Sequence, residues 1–110
     1  MGHRKHIETF ERDNCLVDII FQHRGKENAI GTQELVQALR ESGYIVRAEN
    51  IHNIVKKVVL ERRLLICALT QTGYYWATNK QDLQSCIDEL TDKLNALQER
   101  IDLLKSFICE

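Results

Sequence analysis

The chain of 110 residues contains no proline, only five glycines, no internal repeat and no low-complexity stretch. No Pro-rich or Gly-rich linker divides it, and no glycine-rich loop is available to cradle a phosphate. No apolar run approaches the roughly 18 residues of a membrane span. The basic start, Met1 to His6, lacks the apolar segment that would follow in a secretory signal. His6 stands where a myristoylation signal needs Ser or Thr. Cys15, Cys67, Cys86 and Cys109 form no C-x-x-C pair, which removes the spacing of a zinc site and of a disulfide framework. His3, His6, His23 and His52 stand apart, with no H-E-x-x-H. These absences lead to a cytoplasmic chain with reduced thiols, no metal or other cofactor and no enzymatic activity.

What is present suits a folded chain. An apolar fraction of 44% with 28% charged residues separates it from disordered sequences. A net charge of −1 excludes a chain coated in basic residues for indiscriminate nucleic-acid binding. A local basic face stays possible, because the C-terminal part is acidic and masks it in the sum. The length allows one small domain plus a long helix.

Ile7, Phe10, Leu16, Val17, Ile20 and Phe21 recur at helical spacing and predict a first helix over about 5–23. Arg24 to Asn28 is a polar break, where Gly25 is free to take the left-handed conformation that ends helices. Ala29-Ile30 suits one short strand. Thr32 is then expected as N-cap of a second helix carrying Leu35, Val36 and Leu39 on one face and stopping at Ser42-Gly43. A third helix follows Tyr44-Ile45-Val46, over about 47–62, with Ile51, Ile54, Val55, Val58 and Val59 as its inward stripe. Leu64–Leu69 and Gly73–Ala77 read as a hairpin around Thr70-Gln71-Thr72. Alternation sends Tyr74 and Trp76 to one face and Tyr75 to the other. Thr78-Asn79 supplies caps for a last helix over about 80–108.

That last helix holds a heptad seam. Leu83, Leu90, Leu97 and Leu104 share one heptad position, and Ile87, Leu94, Ile101 and Ile108 the other. A two-in-seven stripe sustained this long belongs to a helix that pairs along its length. The sequence therefore predicts a homodimer through residues 79–110, with residues 1–78 as a separate head. Mostly Ile at a with Leu at d favours parallel dimers. Flanking charges are unfavourable either way: parallel pairing sets Arg100 against Lys105, and antiparallel pairing sets Lys93 near Arg100. The direction stays open. Leu103 and Phe107 widen the apolar face towards the C-terminus, which calls for a packing surface beyond one partner seam.

Three helices, a hairpin and a long heptad helix resemble the winged helix-turn-helix arrangement. Gly31-Thr32-Gln33-Glu34-Leu35 looks like the start of the helix that crosses the DNA backbone. Asn50 to Val58 resembles a recognition helix, and Leu64-Leu65-Ile66-Cys67 with Gly73-Tyr74-Tyr75-Trp76-Ala77 resembles a wing. The Gly-Tyr-Tyr ending before a heptad helix is similar to small winged-helix proteins of phages and prophages, and the head is similar to the DNA-binding domain of the biotin repressor. The resemblance implies a mainly α fold with a small β-hairpin wing, followed by a dimerisation helix. It implies binding of double-stranded DNA, as in a small transcriptional regulator of phage or mobile-element type. The connection through Tyr44, Ile45 and Val46 is longer than the usual turn of three to four residues.

On this reading Arg47, His52, Lys56 and Lys57 neutralise phosphates, and Asn50 and Asn53 read base edges, since an amide pairs bidentately with adenine. Thr32 adds a further DNA contact, and the tip residues Thr70, Gln71 and Thr72 touch phosphate or the minor groove. The plainer reading is a solvated helix face. Glu49 repels phosphate, and the tip has no Arg or Lys. Winged folds also serve as protein-binding modules, so the alternative is a head that grips or inhibits a protein partner.

Overall fold

The computed structural model describes the backbone of residues 2–109 and the side chains of residues 9–109. The side chains of His3, His6 and Ile7 lie outside the described residues. Helix α1 spans Gly2–Phe21, a 3₁₀ turn Lys26–Asn28, α2 Thr32–Glu41 and α3 Ala48–Arg62. Strands β1 (Ile66–Leu69) and β2 (Gly73–Trp76) form an antiparallel hairpin, and α4 runs over Lys80–Ile108. The result is the expected mainly α chain with one hairpin and a long C-terminal helix. No described helix is long and apolar enough to cross a membrane.

The hairpin is the middle layer. Its register sets Ile66 opposite Trp76, Cys67 opposite Tyr75 and Ala68 opposite Tyr74. Because side chains alternate across a strand, Ile66, Ala68, Tyr74 and Trp76 face one way and Cys67, Leu69 and Tyr75 the other. The first face packs on Leu16 and Ile20 of α1, Leu35 and Leu39 of α2, and Ile51 and Val55 of α3. Each such aliphatic side chain contributes roughly 1.5–3 kcal/mol on full burial. The second face packs on Leu83 and Cys86 of α4. The tyrosines thus divide as alternation predicts, and Tyr75 is wholly buried.

Several boundaries move for identifiable reasons. The strand expected at Ala29-Ile30 contracts to a bridge, in which Ile30 and Tyr74 exchange both backbone hydrogen bonds at 2.8 Å. Gly25 does take positive φ (84°), but with ψ 148° it is not a left-handed helix end. It lies beyond the end of α1, and its N–H donates to the Trp76 carbonyl at 2.8 Å. Thr32 is not the N-cap of α2. Gly31 caps it in extended conformation, and its carbonyl accepts from Leu35 N–H at 3.0 Å, so winding begins one residue early. No side chain caps that end.

The start of α4 is held more firmly. Asn79 is its N-cap, and its Oδ1 accepts from Asp82 N–H at 2.8 Å. Asp82, 7% exposed, reaches back to accept from Thr78 N–H (2.9 Å) and the Thr78 hydroxyl (3.0 Å), and also from Lys26 N–H (3.4 Å). This is the reciprocal logic of a capping box, extended to a second element. The Tyr75 hydroxyl donates to the Asp82 carbonyl at 2.7 Å, fixing α4 to the buried strand.

Gly73 supplies a sharp test of this packing. It has φ +106°, and an added Cβ would stand 2.2 Å from the Ile30 carbonyl oxygen. Gly73→Ala is expected to cost at least about 2 kcal/mol by combining backbone strain with that overlap. Urea denaturation measures it; an unchanged midpoint would show that the Ile30–Tyr74 bridge does not hold the hairpin to the helices.

Candidate nucleic-acid interface

Helix α3 exists because Ile51, Val55 and Val58 form a stripe that the core covers. Its β-branched residues lower helix propensity, but burial of that stripe outweighs the deficit. The same geometry forces the remaining positions outward. Asn50, His52, Asn53, Lys56 and Lys57 are all exposed. Arg47, exposed at the N-cap position, has its guanidinium 3.5 Å from Glu49, so part of its charge is met within the helix start. An exposed pair of this kind is readily exchanged for another anion.

A groove of about 540 Å³ runs between α3, the hairpin and α4. His52, Lys56 and Leu60 form the α3 wall, Thr70, Gln71 and Thr72 the hairpin wall, and Cys86, Glu89, Leu90 and Lys93 the α4 wall. Thr32 lines it from the start of α2. The fold therefore brings Thr32, His52, Lys56 and the hairpin tip, distant in sequence, to one place. Arg47, Asn50, Asn53 and Lys57 share the exposed side of α3 but do not line the groove.

Sequence reasoning missed the fourth side of this groove. Glu89 accepts from Thr70 N–H at 3.0 and 3.2 Å and lies 3.8 Å from the Lys93 ammonium. The Thr70 N–H is the main reason its carboxyl is held below the usual carboxylate range, with Lys93 adding to it. Glu89 thus ties the hairpin tip to α4, at the expense of a negative charge among the proposed phosphate contacts. Leu60 also escapes a reading by periodicity. It is 70% exposed and lies outside the inward stripe, so an apolar residue among polar neighbours was the available signal.

The heptad residues divide between two roles. Leu83, expected in the pairing seam, is taken up by the chain's own head, where it packs with Tyr75 and Cys67. From Leu90 to Cys109 every side chain is exposed. Leu90, Leu94, Leu97, Ile101, Leu104 and Ile108 are 43–82% exposed, and Ile87 is 51% exposed. The seam therefore begins at Ile87, and none of the described residues covers it.

Two other polar clusters are structural. The cavity of about 780 Å³ beside Arg24, Lys26, Thr78 and Asp82 borders a carboxylate whose oxygens already accept from Thr78 and Lys26. Those donors hold Asp82 below its ordinary range. Cys67 is the opposite case: burial, then the neighbouring Cys86 thiol, pushes it up to about 12, so it serves as a small apolar residue rather than a thiolate.

No protein-family model, curated protein or solved structure matches the chain.

Asp82 and Glu89 together make the acid stability predictable. Each has a lowered folded-state pKa, so the unfolded chain binds protons that the folded chain does not. Their stabilisation is complete above the ordinary carboxylate pKa of about 4 and is lost as pH falls through the folded values. Urea unfolding at about pH 6 and about pH 3 should show a smaller loss for the double variant Asp82→Asn, Glu89→Gln than for the parent. Equal losses would mean that these carboxylates do not carry the effect.

Proposed function

We propose that the chain is a homodimeric winged-helix protein that binds double-stranded DNA, acting as a small transcriptional regulator of phage or mobile-element type. The observation that carries this reading is the outer side of α3. It offers Asn50, Asn53, Lys56 and Lys57 to solvent while a hairpin with exposed hydroxyl and amide side chains stands beside it. In a winged helix these are the elements that meet the major groove and the adjacent backbone. The lysines supply sequence-independent attraction, and the asparagines supply the bidentate chemistry that distinguishes bases. The acidic residues Asp88, Asp92, Glu99 and Asp102 lie on α4. They keep the net charge near zero without standing on α3.

Pairing through α4 supports the same reading, since one small head presents too few contacts for specific recognition. Leu and Ile side chains contribute roughly 1.5–3 kcal/mol each when moved out of water. The unfavourable rim charges cost only tenths of a kcal/mol. Sedimentation equilibrium should therefore give twice 12.8 kDa. Leu90→Asp with Leu97→Asp should give a monomer with the head still folded, because neither residue is buried in its own chain. A parent monomer at tens of micromolar would end the dimer reading.

For DNA, Lys56 and Lys57 from two protomers neutralise about four phosphates, so log K should fall with log salt at a slope of about −3.6. Replacing both by alanine should weaken all duplexes alike and flatten that slope. Asn53→Ala should instead relax discrimination at one base pair by about 1–3 kcal/mol. Absence of salt-dependent binding to any duplex in a randomised pool would transfer the reading to a head that binds a protein partner.

A further inference from the structure

We infer that the two α4 helices pair antiparallel, and that the C-terminal Phe107 and Leu103 of one protomer seat in the α3–hairpin–α4 groove of the other. The inference rests on the pairing part of the proposal above. It does not rest on the DNA part.

With Ile87 at a and Leu90 at d, Cys86, Lys93, Arg100 and Phe107 are g positions, while Glu89 and Leu103 are c positions. Around a helix, g lies next to d and c next to g, on the flank away from e. The head's groove opens on this flank, because its α4 wall is Cys86, Glu89, Leu90 and Lys93. The extra apolar residues at the far end, Leu103 and Phe107, lie on the same flank and are 58% and 61% exposed.

Direction then decides what these residues meet. In a parallel pair each g flank faces the partner's e flank, whose residue here is Lys105, so Leu103 and Phe107 stay in water at the end remote from both heads. In an antiparallel pair g faces g. Layering a against d sets Phe107 beside the partner's Cys86 and Arg100 beside the partner's Lys93. Phe107 then arrives where the groove is apolar, between Leu60, which is 70% exposed, and Leu90, which is 58% exposed. The groove and the widened C-terminal face are continuous with the seam and cover each other only in this arrangement. The Arg100–Lys93 approach is the unfavourable term. Glu89, already 3.8 Å from the Lys93 ammonium, offsets it from the same groove wall.

The separation of the two Cys86 levels along the seam is of the same order as one duplex turn. Antiparallel pairing separates the two Cys86 levels by the rise from residue 86 to residue 107, about 31 Å at 1.5 Å per residue. Successive major grooves on one side of a duplex are about 34 Å apart. The occupied stretch is the Leu60 end of α3, so Arg47, Asn50, Asn53 and Lys57 stay clear of it, while Lys56 shares the groove wall one turn before Leu60.

Site-directed cross-linking tests the direction. Phe107→Cys, with Cys86 kept and Cys15, Cys67 and Cys109 replaced by alanine, is treated with a short bismaleimide. Positions 86 and 107 of one chain are about 31 Å apart along the helix, so a link from Cys86 to the thiol introduced at position 107 can form only between antiparallel chains. A high yield of that link is the expected result. A dimer that gives no such link, and that instead links Leu104→Cys to its own copy, is parallel and overturns the inference while keeping the dimer. A monomer by sedimentation would remove the pairing on which it rests. A second variant avoids the cysteine background. Leu60→Asp, on the exposed side of α3, should raise the dimer Kd at least about tenfold, because the partner's Phe107 packs there. Paired with Phe107→Ala it should be non-additive. A dimer Kd indifferent to Leu60→Asp would also overturn the inference.

Discussion

The hairpin's two-sided burial is the constraint on which the other elements depend. Four residues per strand are too few to stand alone in water, and β1–β2 is covered on both faces. Tyr74 closes the core that α1, α2 and α3 build, while Tyr75 closes a second core with the start of α4. If one face were uncovered, the other would lose its support. The Ile30–Tyr74 exchange of hydrogen bonds and the bond from Tyr75 to the Asp82 carbonyl keep both contacts in register. A hairpin built this way is also the fastening for α4.

That fastening divides α4 in two. Because Leu83 and Cys86 are engaged by the hairpin, the first turns of α4 belong to the head and the remainder projects from it. Glu89, bound to Thr70 N–H, extends the attachment to the hairpin tip. The base of the projecting seam is thereby tied to the hairpin that stands beside α3.

The electrostatics of the groove define the chemistry it can perform. Lys56 on the α3 wall stands across the groove from Glu89 and Lys93, which pair with each other on the α4 wall, so the groove is neither a phosphate cradle nor an acidic peptide slot. The outer side of α3 is different, since Asn50, Asn53 and Lys57 stand clear of Glu89's wall. An apolar groove and a polar outer face give one small head two neighbouring surfaces of different chemistry, the first suited to the proposed second copy and the other to the proposed duplex.

Most of the element order was legible in the sequence because it depends on local periods. A spacing near 3.6 marks Ile51, Val55 and Val58 as one face of a helix, and a spacing of two separates Tyr74 from Tyr75, whatever the rest of the chain does. The Asn79 cap and the unbroken seam of α4 were readable for the same reason. Thr32 was misplaced by one residue because either it or Gly31 can begin the helix, and the extended backbone at Gly31 made the choice. What only the tertiary structure decided are contacts between residues far apart in sequence. Leu83 fits the heptad as well as Leu90 does, yet docking of α4 on the hairpin buries the first in its own head and leaves the second free. Asp82 beside Lys26, Glu89 beneath Thr70 and Leu60 at the groove wall follow from that docking alone. Periodicity states which side of an element is apolar; the packing of one element on another determines which part of that side is covered and which remains to bind.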